Sequence, residues 1–250
     1  MRNYLGYPAS LRDTGDAEKD VDFIRLGTIG ASELEDLGAP TDDWFAALPQ
    51  EPGGAYDPRR HVAWALSLFR LRVRVLQDVS ALVVLGGKDD GLSWGRMAGI
   101  AEEVMIALAL GKPVFVLGGA GGAAHAVGQL LGLDEAPVSL DQCLKPAAFT
   151  VLNDALAPYA SSFEIPGEPD SPRTLADLRR FLFHRGVTTP GWPWNGLSLA
   201  ENRELFTCPI SQGRKSVDRA VGLTMQGLSR IDWKPAGGGR DPVREGDTSA

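Results

Sequence analysis

The stretch that decides the fold is "VVLGGKDDGLSWGRMAGIAEEVMIALALGKPVFVLGG", from Val83 to Gly119. It holds two short apolar runs, each ending in a Gly-Gly pair, and between them a helix-forming segment that opens with two carboxylates. Short apolar runs bounded by turn residues are typical of strands covered on both faces, and parallel strands need a crossover such as a helix. The stretch therefore predicts a strand–helix–strand unit.

Segments on either side extend this unit. Asp57-Pro58 predicts a helix start, because Asp is a good N-cap and Pro is tolerated at the first helical position. Downstream, "GGAGG" opens a further helix, Ala123–Leu131. The fold class predicted is α/β, with a Rossmann-like parallel sheet, helices on both faces and a largely helical C-terminal region. The C-terminal helices predicted from periodicity, capping and proline signals are Pro146–Pro158, Ser171–Gly186, Ser198–Phe206 and Ser216–Ile231.

Composition excludes several classes of function. The 250 residues are 44% hydrophobic, and the net charge is −7. This acidic balance argues against nucleic-acid binding, which needs a basic face. Cys143 and Cys208 fit neither a disulfide framework nor a clustered metal site, so we expect reduced thiols and no metal. There is no signal-peptide core and no apolar run near the roughly 20 residues that cross a bilayer, so we expect a cytoplasmic protein without a membrane partner.

Glycines mark the ends of both predicted strands. Ligands of open parallel sheets bind outside the carboxyl ends of the strands, and Gly86-Gly87 and Gly118-Gly119 fall there, with Gly121 shortly after. Glycine lets a ligand approach the backbone, and the N–H groups of a following helix favour an anion. The sequence thus indicates a phosphate cradle, although tight turn geometry alone also explains such glycines.

Charged residues surround the first of these turns. Glu102 and Glu103 lie in the first turn of a helix, where the dipole favours carboxylates and where they could hold ribose hydroxyls or act as a general acid or base. Lys88 and Arg96 bracket the loop before that helix, and Arg70 lies on the preceding one. Each is a candidate phosphate contact, and for Arg70 the alternative is a solvated position on the surface.

The order of these features carries a resemblance. An arginine on a helix, an apolar strand ending in Gly-Gly, then "GIAEE", a helix and "GKPV" resemble the Lonely guy (LOG) phosphoribohydrolases and the wider SLOG superfamily of Rossmann-like nucleotide-binding domains. It covers roughly Asp57 to Leu133. The resemblance implies that Arg70 and Glu103 are the catalytic arginine and glutamate if the protein is a hydrolase. The glycines that it implies for the phosphate loop are Gly86, Gly87 and Gly99.

The sequence also departs from the LOG signature Pro-Gly-Gly-x-Gly-Thr-x-x-Glu. Leu85 replaces the proline, Ile100 replaces the threonine, and the eleven residues Lys88–Ala98 stand where the signature has one. Such an expanded loop is similar to SLOG domains that sense NAD- or nucleotide-derived signals. The leading hypothesis is a domain that binds a nucleotide-derived small ligand related to NAD or ADP-ribose, without a cofactor. The alternatives are a LOG-like hydrolase of the N-glycosidic bond of a nucleoside monophosphate, and a non-catalytic scaffold.

The domain organisation follows from these segments. We expect one SLOG-like domain over residues 1–233, with an irregular N-terminal region (residues 1–56), a nucleotide-binding core (57–133) and a mainly helical region (134–233). Within the N-terminal region, Val21–Gly27 predicts a strand, and two short helices follow. The SLOG pattern implies a first strand with a Gly-rich loop before the arginine helix, and Met1–Tyr56 holds no good match, so either this unit is degenerate, or it lies upstream of this sequence, or a partner chain supplies it. Residues 234–250 are polar and rich in Gly and Pro, which predicts a disordered tail. A homodimer or higher homo-oligomer is expected.

Overall fold

The computed structural model describes residues 2–5, 22–25, 58–87, 96–134, 157–165, 175–189, 192 and 194–233. These ranges hold a mixed, mostly helical α/β fold, and no helix in them is long and apolar enough to cross a membrane. The strands are β1 (Arg2–Leu5), β2 (Asp22–Arg25), β3 (Leu82–Leu85) and β4 (Val114–Leu117). The α-helices are α1 (Pro58–Asp78), α2 (Gly99–Ala109), α3 (Gly122–Leu130), α4 (Leu175–Arg185), α5 (Leu199–Thr207) and α6 (Arg214–Arg230).

The predicted strand–helix–strand unit is confirmed as β3–α2–β4. β3 and β4 pair in parallel, in a register that places Leu82 beside Val114 and Leu85 beside Leu117. Since side chains alternate along a strand, this sheet has two faces that need separate cover. β1 and β2 form a second parallel pair, so the described strands make two two-stranded sheets.

The larger hydrophobic core lies on one face of the β3–β4 pair. α2 is its centre and is buried on nearly all sides, because α1, α3 and α4 pack around it. α1 contributes one apolar stripe, as its spacing of three and four residues predicted. Burying each large aliphatic side chain contributes about 1.5–3 kcal/mol, so this stripe fixes the position of α1. The buried stripe residues are Val62, Leu66, Phe69, Val73 and Leu76.

A smaller core covers the other face of β4. Phe115 and Leu117 pack there against residues of α5 and α6. Two buried asparagines attach this layer to the sheet, because the Asn195 side chain donates to the carbonyl of Val114 at 2.9 Å and to Asn202 Oδ1 at 2.7 Å. Buried amides need such partners, so the pair specifies how the layer docks.

A capping box begins α5, as predicted from Ser198 and Glu201. The Glu201 carboxylate also accepts a hydrogen bond from Arg230 Nη1 at 2.8 Å, which ties α5 to the end of α6. Hydrogen bonds from Arg230 and from Ser198 lower the pKa of Glu201 to about 2. This carboxylate therefore stays ionised and keeps its partners through the ordinary pH range.

Other sequence predictions have mixed outcomes. The strand predicted within Val21–Gly27 is confirmed as β2, whereas β1 was missed because no turn residues precede its four residues. The last three predicted helices are confirmed as α4, α5 and α6 where described, with α6 beginning two residues early at Arg214. Outside the described residues lie the predicted helices Ala31–Gly38 and Thr41–Pro49, most of Pro146–Pro158, and the tail 234–250.

Two glycines of α6 test the packing of the smaller core. A Cβ on Gly227 would lie 2.5 Å from Phe115 Cε1 and 2.7 Å from the Asn195 carbonyl oxygen. Around Gly222 the described residues place no atom within 4 Å of that position. We expect Gly227→Ala to lower the free energy of unfolding by about 1–3 kcal/mol through overpacking. Gly222→Ala, its control, should raise it by up to about 1 kcal/mol through helix propensity. Urea unfolding measures both, and equal effects would contradict the close approach of α6 to β4.

Candidate functional site

The second glycine turn follows β4 and is packed by the chain itself. A Cβ on Gly118 would lie 2.1 Å from the Phe206 ring, and one on Gly119 would lie 2.0 Å from the Cys208 carbonyl oxygen. His125 stacks on Phe206 with ring centroids 5.0 Å apart, and its Nδ1 lies 3.2 Å from the Gly118 carbonyl oxygen. Because that oxygen only accepts, Nδ1 carries the proton. Close packing with the end of α5 thus requires glycine at both positions, and their role toward a ligand remains a prediction.

The first glycine turn follows β3 and reaches across to the start of α3. Gly86 and Gly87 have φ values of 60° and 90°, in the left-handed region that glycine tolerates. Their carbonyls accept hydrogen bonds from the N–H groups of Ala124 at 2.8 Å and Ala123 at 3.4 Å. The two turns therefore lie together at one end of the sheet, and these two helix N–H groups are satisfied by protein rather than open to a ligand.

Two glycines in these turns retain open surroundings. Among the described residues, nothing lies within 4 Å of the position that a Cβ would take on Gly86 or on Gly121. Both residues have positive φ, so their backbone needs glycine even without a close neighbour. Neither glycine is therefore required by close packing of a neighbouring side chain, and their role toward a ligand stays a prediction.

A fully buried carboxylate, Glu102, lies at the centre of a charged cluster beside the first turn. Arg96 Nε donates to Glu102 Oε1 at 2.7 Å, and Arg72 Nη1 donates to Glu102 Oε2. Arg72 Nε also lies 3.4 Å from Glu103 Oε1. Glu102 thus connects α1, the segment before α2, and α2 itself. We refer to Arg72, Arg96, Glu102 and Glu103 as the α1–α2 cluster.

Arg96 is enclosed by the protein. Its guanidinium carbon lies 4.7 Å from the centroid of Phe69 and 4.9 Å from that of Phe163, so the cation packs against both aromatic rings. Burial lowers the pKa of Arg96, and the charge and hydrogen bond of Glu102 oppose that shift. Arg96, predicted as a phosphate contact, thus lies in a desolvated cation–π and ion-pair arrangement, and its role toward a ligand stays a prediction.

Arg72 lies over the start of α2. A Cβ on Gly99 would stand 2.8 Å from Arg72 Nη2, so glycine at this position lets the guanidinium cross the first turn of the helix. Ile100, the next residue, lies beside the first glycine turn, with Cγ1 2.6 Å from the Cβ position of Gly87. The geometry therefore brings Arg72, Gly87, Gly99 and Glu103 to one end of the sheet.

Sequence reasoning did not single out Arg72. It assigned the catalytic arginine to Arg70, which is half-buried on α1. A signal for Arg72 existed, because it stands three residues after Phe69 and four before Leu76, within the periodicity of the buried stripe. A charged side chain within a buried stripe predicts an oppositely charged partner that is also buried. Lys88 lies outside the described residues, and the portion of the chain that is described contains no group of three His, Cys, Asp or Glu that could hold a metal.

Glu103 is the carboxylate of the cluster that reaches solvent, with 32% of its side chain exposed. Burial of the remainder raises the pKa of Glu103, while the charge and hydrogen bond of Arg72 oppose this shift. A carboxyl group with a raised pKa can exchange a proton closer to neutral pH. Together with the fixed cation of Arg72, it can hold an anionic ligand and a hydroxyl group, or act as a general acid or base.

Removing the Glu102 carboxylate should destabilise the folded protein. Glu102→Ala leaves two arginines without their buried partner, so we expect the free energy of unfolding to fall by about 3–5 kcal/mol. Glu204→Ala is the matched control, since it also breaks an Arg–Glu bridge, at 2.6 Å to Arg219, but an exposed one. Urea unfolding should detect almost no change in the control. Equal losses in the two variants would contradict the central role of Glu102.

The raised pKa of Glu103 predicts how stability depends on pH. The folded state favours the protonated form, so this stabilising contribution is complete below the unfolded pKa and is lost as pH rises through the folded pKa. Glu103→Gln removes that loss. The melting temperature of the variant minus that of wild type should therefore become more positive between about pH 4 and about pH 8. A difference that stays flat or falls over this range would show that ionising Glu103 costs no stability.

Comparison with known proteins identifies the family to which this chain belongs. The family model described as SLOG cluster2 matches residues 1–205, which include the glycine turns, the α1–α2 cluster and most of α5. No curated protein and no solved structure gives a significant match. The match covers most of the chain and agrees with the resemblance found in its sequence. The chain belongs to the SLOG superfamily, in its cluster2 group.

Proposed function

We propose that this protein binds a nucleotide-derived small ligand, related to NAD or ADP-ribose, at the end of the β3–β4 sheet. Membership of the SLOG superfamily supports a nucleotide-related role. The observation that carries the proposal is Arg72, whose guanidinium is fixed by Glu102 and Glu103 directly over Gly99. A guanidinium held in this way is suited to a phosphate group of the ligand.

The α1–α2 cluster favours an anion when Glu103 is protonated. The charges of its two arginines and two glutamates cancel when both carboxyl groups are ionised, whereas protonation of Glu103 leaves the cluster with a net positive charge. Burial raises the pKa of Glu103, and the negative charge of a nearby phosphate would raise that pKa further, which favours the protonated carboxyl group. Ligand binding is therefore coupled to proton uptake at Glu103.

We also propose that the complete sheet is Rossmann-like, within a single domain over residues 1–233. Phe115 and Leu117 are covered by α5 and α6, while Val83 and Leu85, their register partners on β3, are exposed. A parallel pair of matching length, β1–β2, precedes them in the chain. Docking that pair and its connections beside β3 would continue the sheet and cover these side chains.

One observation favours hydrolysis as a second candidate. Glu103 is partly exposed, has a raised pKa and lies beside a fixed cation, which are the properties of a catalytic carboxyl group. In that reaction the N-glycosidic bond of a nucleoside monophosphate breaks, the hydroxyl of a water adds to the sugar, and the proton of that water leaves with the base. Arg72 would hold the phosphate, and Glu103 would stabilise the oxocarbenium charge or activate the water. Ile100 lacks the hydroxyl of the signature threonine, which favours binding over turnover.

A ligand screen tests the proposal and separates the two candidates. The full chain is incubated with NAD, cyclic ADP-ribose and nucleoside monophosphates, and both the melting temperature and the released base are measured. We expect stabilisation without release. Arg72→Ala should weaken binding roughly tenfold to a hundredfold, because a hydrogen bond to a charged group contributes about 1.5–3 kcal/mol. Arg74→Ala, an exposed arginine two residues along α1, is the control and should bind normally.

Each outcome of the screen has a defined meaning. Base release that Glu103→Gln abolishes would establish the hydrolase. Absence of stabilisation by every ligand would contradict the binding proposal and favour the scaffold. Binding is measured well below the melting temperature of each variant, because Arg72→Ala removes a partner of buried Glu102 and should melt earlier than wild type. Equal loss of binding in Arg72→Ala and Arg74→Ala under these conditions would exclude Arg72 as the specific anion contact.

A further inference from the structure

The last helix of the described chain, α6, lies beyond residue 205, where the family match ends. One side of α6 packs into the smaller core through Ala220 and Leu223. Another side carries an apolar row at spacings of four residues, which places its members on one line along the helix. The row consists of Val217, Val221 and Met225, with 43%, 55% and 60% exposure.

This row is an unusual concentration of exposed apolar surface. Of seven large hydrophobic residues exposed among the described ones, these three and the nearby Trp233 make up more than half. Isolated exposed apolar residues are normal, whereas contiguous patches mark interaction sites. The sequence after Trp233, "KPAGGGRDPVREGDTSA", contains Val243 as its single large apolar residue. That segment has too little apolar surface to cover the row.

We infer that the α6 row is a self-association surface on which α6 of a second copy packs in antiparallel orientation. The row is symmetric about Val221, so a two-fold axis there sets Val221 against its own copy and Val217 against Met225 of the second copy. An isologous contact of this kind needs a patch that complements itself. Gly222 is exposed beside the row and lacks a side chain, which allows the helices to approach closely.

Charge selects the antiparallel arrangement. Arg214 and Lys215 are exposed at the first turn of α6, and Asp232 is exposed just after its last. In the antiparallel pair, the two cations lie near the C-terminal turn of the second copy, where the helix dipole favours positive charge. Arg230 of that turn is already paired with Glu201 at 2.8 Å, which reduces its repulsion of the two cations. A parallel pair would instead bring the four cations together.

The size of the row predicts a weak contact. Three exposed side chains and a bare glycine provide less apolar area than the roughly 800 Å² per partner of a standard interface. The association should therefore depend strongly on concentration. This inference concerns assembly and does not rest on the proposed ligand.

Sedimentation of the full chain at about 5 µM and about 200 µM tests the inference, because a weak dimer dissociates across this range. The weight-average mass should rise from near 26.7 kDa toward twice that value. Val221→Asp sets two carboxylates face to face at the axis and should remain monomeric, with an unchanged melting temperature at low concentration. Phe183→Asp changes an equally exposed residue on α4 and should dimerise as wild type does. A wild-type chain that stays monomeric, or a dimer that Val221→Asp leaves intact, overturns the inference.

Disulfide trapping tests the orientation without relying on a destabilising variant. Under oxidation, Val221→Cys should form a covalent dimer by itself. Val217→Cys should cross-link only when mixed with Met225→Cys, since antiparallel helices bring these two positions together. Efficient cross-linking of Val217→Cys alone would show a parallel contact, and absence of any cross-link at Val221→Cys would exclude the axis. Each variant is made with Cys143→Ser, which removes a competing thiol.

Discussion

The structure depends on one buried carboxylate, Glu102, and the two arginines that it holds. A fully buried charge is costly unless it is paired, so Glu102 can occupy the first turn of α2 only with Arg72 and Arg96 in place. The guanidinium of Arg96 in turn packs against the rings of Phe69 and Phe163. The same interaction that joins α1 to α2 therefore also fixes Arg72 over the glycine at the start of α2, which is the place where we propose that a ligand binds.

The two glycine turns, which look alike in the sequence, have different physical roles. After β4, Gly118 and Gly119 make room for Phe206 and for the chain at Cys208, so packing explains their identity. After β3, Gly86 and Gly87 adopt positive φ and hydrogen-bond to the start of α3. Much of the glycine signal thus reports how tightly the helices approach the sheet, and the electrostatic features of the site come from α1 and α2.

Local patterns predicted the local structure well. Apolar periodicity and capping residues identified the β3–α2–β4 unit, the stripe of α1 and the capping box of α5, because each depends on neighbours in the chain. The α1–α2 cluster depends on residues about thirty positions apart, and only tertiary packing decides which arginine of α1 meets the glutamates. The resemblance indicated Arg70, whereas the arginine that bonds Glu102 and Glu103 is Arg72. Phe206 and Gly118 are still farther apart in the chain, and no local sequence pattern indicates that they pack together.

The central claim is that Arg72, fixed by Glu102, is the cation that meets an anionic ligand. Nitrogen-15 NMR of arginine Nε–H groups observes it directly, with the Arg72 resonance assigned from its loss in Arg72→Lys. The account predicts that titration with NAD or a nucleoside monophosphate shifts this resonance and leaves that of exposed Arg74 unchanged. A ligand that binds while the Arg72 resonance stays fixed, or that shifts only the resonance of Arg70, would contradict it.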